Sequence, residues 1–180
     1  MKKTVYLTSI LLIILFSTSM NTSTVFPSLA CTDLLNNPIT IPKDIKGKKS
    51  ILVLAASKKA EDNLQSWMLP LFNTFIADNS KNMFATTSYD VNTFFIPVFS
   101  GVAKAAANNI KKKMLNGLDP LLQSHVLIYK GSANKLFDEL GLDKKEVALL
   151  IIDENGNTLK TIEGGYTDEK MENIEEFLIQ

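Results

Sequence analysis

Four polar residues at the start of a helical segment are the best placed for chemistry. They are Ser57, Lys58, Lys59 and Glu61, and we call them the corner. Ser57, Lys58 and Lys59 form the joint between an apolar run at 51–56 and an amphipathic segment at 60–75, and Glu61 lies in the first turn of that segment. A helix N-terminus lowers the pKa of a thiol placed there, but these positions contain no cysteine. Hydroxyl, ammonium and carboxylate groups could bind a ligand or support noncanonical catalysis, although such a first turn is usually only solvated.

The chain has one cysteine, Cys31, which excludes an intramolecular disulfide and a cysteine-rich metal site. It lies in an extended segment without a basic neighbour, so peroxidase chemistry is not favoured. The tetrapeptide Ser-Leu-Ala-Cys that ends at Cys31 loosely resembles a lipoprotein processing site, which makes this residue a candidate for lipidation. The polar spacer before it is too long for that motif, so we favour a small, semi-buried residue in the first strand region.

Neither the single histidine nor the acidic turn predicts a metal site. His125 is alone, whereas a metal needs several converging ligands. The run 153–157, Asp-Glu-Asn-Gly-Asn, lacks the spaced acidic ligands and closing Glu of a calcium loop. We therefore predict no metal and no cofactor, and we interpret 153–157 as a hairpin turn.

The overall charge is balanced. The 180 residues include 19 basic and 19 acidic side chains, so nothing favours nucleic-acid binding. The run Lys111-Lys112-Lys113 suits the negative end of a helix and a solvated face. A phosphate or a lipid surface is the alternative partner for this run.

The N-terminal segment differs from the rest. Two lysines precede an apolar stretch at 5–16 and a polar run at 17–24, which is the pattern of a secretory signal peptide. An uncleaved membrane anchor is the alternative, although the apolar part is shorter than a spanning helix needs. We predict a signal peptide or anchor at 1–24, one domain at 25–180, and export to the periplasm or cell envelope.

Apolar periodicity predicts alternating strands and helices in the domain. An extended segment with a turn at 36–38 comes first, and Pro70 should kink the first helix. The predicted strands are 51–56, 92–98, 125–129, 147–152 and 158–162, and the predicted helices are 60–75, 102–115, 134–140 and one beginning at 167–168. This alternation predicts a mainly parallel sheet with helices on both faces.

This order, with its kinked first helix and closing strand–turn–strand–helix, resembles the thioredoxin-like fold, and most of all its thiol-specific antioxidant branch. The segments that carry the resemblance are 26–29, 44–48 and 150–156. It implies an α/β three-layer sandwich with a mixed central sheet and an N-terminal β-hairpin extension. Enzymes of this fold hold a Cys-x-x-Cys at the position of the corner and a cis-proline before the penultimate strand. Here 144–147, Lys-Lys-Glu-Val, contains no proline.

A narrower resemblance is to bacterial relatives of the mitochondrial ATP synthase assembly factor. Its motifs are Gln65-Ser66-Trp67, Pro70-Leu71-Phe72, Leu140-Gly141-Leu142 and the run 149–153.

Two hypotheses follow. The first is a redox-inactive thioredoxin-like domain that binds or assembles an envelope or membrane protein, with no dithiol enzyme activity and membrane association through its N-terminal segment. The second is a noncanonical enzyme or small-ligand binder that uses the corner, and it predicts a concave pocket there.

Overall fold

Strands and helices alternate through the described part of the chain, which is residues 24–77 and 89–179 of a computed structural model. The elements are β1 (Leu29–Asp33), β2 (Pro38–Ile41), β3 (Ser50–Ala55), α1 (Lys58–Leu71), β4 (Asn92–Pro97), α2 (Ala103–Gly117), α3 (Pro120–Gln123), β5 (Leu127–Tyr129), α4 (Ala133–Leu140), β6 (Ala148–Ile152), β7 (Thr158–Glu163) and α5 (Asp168–Ile179). The strands and helices predicted in this part of the chain are confirmed, with bounds that differ by a few residues.

The central sheet is mixed. Its hydrogen-bonded groups are β2-β1-β5 and β4-β3-β6-β7. Parallel bridges between Phe95 and Val126 and between Val98 and Tyr129 connect β4 to the β5 side. The pairs β1–β2, β1–β5, β3–β6 and β6–β7 are antiparallel, and β3–β4 is parallel. The mixed sheet with its N-terminal hairpin is confirmed. The prediction of mainly parallel pairing is wrong, because β6 runs antiparallel to β3 and the pairs β1–β2 and β6–β7 add further antiparallel contacts.

The sheet separates two apolar cores. Side chains alternate across a strand, so in β3 Ile51 and Val53 face one core while Leu52 and Leu54 face the other. The first core is covered by α1, α2 and α5, and the second by α4 and the N-terminal segment. Burial on both faces explains why β3 and β6 are continuous apolar runs rather than alternating ones.

Helix α1 places the corner at one end of this sheet. Its buried residues Leu64, Trp67 and Leu71 anchor it to the first core, as the periodicity predicts. The predicted single helix 60–75 is instead an α-helix that ends at Leu71 and a π-helical turn, Phe72–Ile76. Pro70 lacks an N–H, so a regular helical hydrogen bond is already missing just before this change of helix type.

The lysine run on α2 requires a correction. Lys111 is not on a solvated face: it is 5% exposed, and its Nζ donates to the carbonyl oxygen of Asp33 and, at 2.8 Å, to Oδ1 of Asn36. Lys112 and Lys113 are exposed, as expected. The turn after β1 contacts α2 through Lys111, a contact between segments distant in sequence, so Lys111 is buried while Lys112 and Lys113 meet water.

The predicted leader at 1–24 lies outside the described residues, apart from Thr24. No helix in 24–77 or 89–179 is long and apolar enough to cross a membrane.

Candidate functional site

Ser57 forms the start of α1 and connects it to the segment before β6. Its backbone is extended (φ −137°, ψ 164°), and its Oγ accepts a 3.1 Å hydrogen bond from the N–H of Ala60. This is an N-cap, which a serine favours because its short side chain reaches an otherwise unpaired helix donor. The same hydroxyl donates to the carbonyl oxygen of Lys145 at 3.1 Å. Both the donor and an acceptor position of the hydroxyl are therefore used within the protein.

The two corner lysines are paired with carboxylates. Lys59 Nζ contacts Oε1 of Glu146, and Lys58 Nζ lies 2.7 Å from Oδ1 of Asp62 and 4.0 Å from Oε2 of Glu61. The hydrogen bond that Lys59 donates to Glu146, together with the negative charge of Glu146, raises the pKa of Lys59. Asp62 acts in the same way on the pKa of Lys58. A raised lysine pKa keeps the amine protonated at neutral pH, so neither lysine has a free electron pair for base or nucleophilic catalysis.

The segment 143–146 is therefore the partner of the corner. Asp143 Oδ1 accepts from the N–H of Lys145 at 2.9 Å, which folds the segment back. This turn presents the Lys145 carbonyl to Ser57 and the Glu146 carboxylate to Lys59. Sequence reasoning identified 144–147 only by its missing proline. The acidic residue Glu146 could pair with a lysine of the corner, and this opposite charge is the signal in the sequence that could have suggested the contact.

Glu61 points to a different feature from the other three corner residues. It lines an apolar groove of about 370 Å³ between α1 and α2, whose other lining residues are Leu64, Gln65, Met68, Phe95, Pro97, Phe99, Ile110, Met114, Leu118 and Val126. Ser57, Lys58 and Lys59 do not line this groove. The periodicity of α1 and α2 assigned several of these residues to the core, and the groove between the helices was missed, because periodicity cannot tell a packed face from a gap.

Cys31 lies away from the corner. It is in the middle of β1, 3% exposed, paired with Ile39 and Tyr129 and packed in the core on the opposite face from α1. Burial raises the pKa of its thiol to about 12. The predicted position in the first strand region is confirmed, but the residue is buried and not semi-buried, because β1 lies between β2 and β5 and its Cys31 side faces the second core. A lipid on this thiol would need the strand to open, and lipidation stays a prediction.

The remaining candidate residues have local partners. His125 Nδ1 lies 2.7 Å from the carbonyl oxygen of Thr93. The Asp153 carboxylate accepts hydrogen bonds from the N–H groups of Asn155 and Asn157 and from Asn157 Nδ2, which closes the turn between β6 and β7. Desolvation alone would raise the pKa of Asp153. The hydrogen bonds outweigh it, so the pKa of this carboxyl is lowered. Within the described ranges no three His, Cys, Asp or Glu residues converge as metal ligands.

Solved structures with the same arrangement of elements are thioredoxin-like proteins. The pneumococcal exposed lipoprotein thioredoxin of Streptococcus pneumoniae strain TIGR4 has a TM-score of 0.56 at 19% identity, covering 85% of this chain and 98% of its own. A thiol:disulfide interchange protein from Bacteroides sp. has a TM-score of 0.56 at 14% identity, covering 88% and 91%. The thioredoxin domain of a thiol-disulfide oxidoreductase from Bacteroides vulgatus has a TM-score of 0.53 at 14% identity, covering 89% and 99%.

The chain has a thioredoxin-like fold. No protein-family model matches it, and no curated protein matches it either. In this thioredoxin-like domain the β3–α1 joint has no thiol, and the hydroxyl of Ser57 takes the helix-capping position. The structure brings the corner together with 143–146 and leaves Cys31 in the other core.

Proposed function

We propose that this protein is a redox-inactive thioredoxin-like module that binds or assembles a protein of the cell envelope. The observation that supports it best is the corner itself. Ser57 uses its hydroxyl to cap α1 and to hold Lys145, and Lys59 pairs with Glu146. The thioredoxin-like scaffold is therefore present, but the polar groups at its β3–α1 joint hold the structure together and supply no reactive thiol.

The state of the single thiol supports the same proposal. Dithiol exchange needs an accessible thiolate and a second thiol. Cys31 is buried in β1, its pKa is raised to about 12, and the sequence contains no other cysteine. At neutral pH this thiol is protonated and shielded from a disulfide or peroxide.

The setting of the proposed module is the envelope. The leader pattern favours export, and one structural neighbour is described as an exposed lipoprotein. The resemblance to an assembly factor of a membrane complex favours a membrane protein as the partner. Membrane association through the N-terminal segment would hold the domain beside such a partner.

An activity assay on the purified protein tests the redox part. We expect no thiol–disulfide reductase and no peroxidase turnover above buffer. A thioredoxin assayed in parallel provides the positive control, and Cys31→Ser provides the matched variant. Clear turnover by the native protein that Cys31→Ser abolishes would overturn the proposal.

Site-directed photo-cross-linking in cells tests the binding part. A photoreactive residue at Lys58, which is an exposed residue of the corner, should capture a discrete envelope protein. The matched control is the same residue at Lys112, exposed on α2. An identical capture pattern from both positions, or none from either, would contradict binding at the corner.

A further inference from the structure

We propose that the groove between α1 and α2 is a binding site for a small amphiphile with an apolar body and a cationic amine head. This inference goes beyond the function proposed above, because the ligand is a small molecule in the groove and not an envelope protein at the corner. It assigns the ligand to the groove beside the corner, and not to the ion-paired lysines.

The groove has the shape and lining of a small-molecule site. Leu64 and Met68 of α1 form one wall, Ile110 and Met114 of α2 form the other, and Phe95 and Phe99 form the floor. Its volume of about 370 Å³ is within the range of ligand pockets, which are mostly apolar with a few polar groups that orient the ligand. Methionine side chains on both walls can adapt to an apolar body of variable shape.

The polar groups of the groove select the head group. Among the described lining residues, Glu61 carries the one charge, and Gln65 follows it one helical turn later. Glu61 retains capacity to bind a cation, because Lys58 is 4.0 Å away and hydrogen-bonds to Asp62 instead. The Glu61 side chain is 44% exposed, so it reaches both water and the groove.

Charge complementarity therefore favours an amine. An ammonium at the mouth of the groove gains attraction from Glu61 and a hydrogen-bond acceptor in the Gln65 carbonyl, while its body enters the apolar part. A carboxylate at the same position would be repelled by Glu61. An alcohol would gain only the burial of its chain.

Methionine-methyl NMR on the full chain measures binding site by site. The protein carries ¹³C-methyl methionine, and the probes are octylamine, octanol and octanoate at neutral pH. We expect octylamine to shift the Met68 and Met114 signals saturably. The Met171 signal, from a buried residue of α5 that does not line the groove, should stay in place. The affinity should fall in the order octylamine, octanol, octanoate.

Two variants test the contacts. Met114→Trp should fill the groove and abolish the Met68 shift, whereas Lys112→Trp, on the exposed side of the same helix, should leave it unchanged. Glu61→Gln should lower octylamine affinity about tenfold, towards that of octanol. The Glu61 site is partly exposed, so this variant keeps the test valid if Met114→Trp does not fold.

Three outcomes would overturn the proposal. The first is the absence of saturable shifts with any probe. The second is equal affinity for the three probes. The third is a shift of the Met68 and Met114 signals with protein concentration alone, which would assign the groove to a second copy of the chain. Failure of the redox proposal is distinguishable, because it is detected as turnover in the reductase assay and not in the methyl spectra.

Discussion

Cys31 illustrates how strongly position in the fold determines the reactivity of a residue. Burial in β1 raises its pKa to about 12, so the thiolate fraction at pH 8 is far below that of an exposed cysteine. We predict that the native thiol reacts with an aromatic disulfide reagent on the order of 10³-fold more slowly than the thiol of the urea-unfolded protein. Stopped-flow absorbance under both conditions measures this ratio. Comparable rates would mean that β1 does not protect the thiol.

Lys111 is the second residue whose environment differs from its sequence context. Its ammonium holds the turn after β1 through Asp33 and Asn36. Burial lowers the pKa of Lys111, and the attraction of Asp33 partly opposes this effect. Lys111→Ala should destabilise the protein by about 1–3 kcal/mol, because the part-buried hydrogen bonds from Nζ to the Asp33 carbonyl and to the Asn36 side chain are lost.

Urea denaturation measures this cost, with Lys112→Ala as the matched control. The neighbouring lysine is exposed, so its removal should change the free energy of unfolding by about 0.5 kcal/mol or less. Equal effects of the two substitutions would show that the Lys111 contacts contribute nothing specific.

At the scale of elements, the start of α1 depends on one hydroxyl. Ser57 caps the helix and bonds to the carbonyl of Lys145. Ser57→Ala should lower the free energy of unfolding by about 1 kcal/mol, since the backbone N–H of Ala60 loses its acceptor. Ser57→Asp should recover most of this loss, because aspartate is an equally good N-cap residue. Chemical denaturation provides the measurement, and no recovery by Asp would show that the bond to Lys145 matters more than the cap.

At the scale of the whole molecule, the two groups of strands are joined unevenly. The β4–β5 connection consists of isolated bridges with backbone hydrogen bonds from Phe95 to His125 and from Phe99 to Tyr129. β3, in contrast, pairs along its length with both β4 and β6 and is buried throughout. The β2-β1-β5 group should therefore open before the β4-β3-β6-β7 group.

Native-state hydrogen exchange tests this order. Amides of β1 should exchange with an opening free energy about 1–3 kcal/mol below that of β3 amides. The comparison is internal to one sample, so it needs no variant. Identical opening free energies for β1 and β3 would mean that the sheet unfolds as one unit.

Much of the fold followed from local patterns. Apolar runs predict the strands β3 and β6, and the helical spacing of Leu64 and Trp67 predicts α1. These patterns are visible in the sequence because each element buries its apolar side chains against a neighbouring layer. Strand direction could not be predicted in this way, since the connection through α4 can return β6 either parallel or antiparallel to β3. For the same reason, the burial of Lys111 depends on a turn some 75 residues earlier in the chain.

By itself, the sequence determined that the β3–α1 joint has no thiol, that one cysteine cannot form an internal disulfide, and that α1 begins near Ser57. These are matters of composition and local periodicity. Only the tertiary structure decided that Glu146 and the Lys145 carbonyl contact the corner and that Cys31 is buried on the face of the sheet opposite α1. It also decided that Glu61 borders a groove. Contacts between distant segments create these features, and local sequence patterns do not encode which surfaces meet.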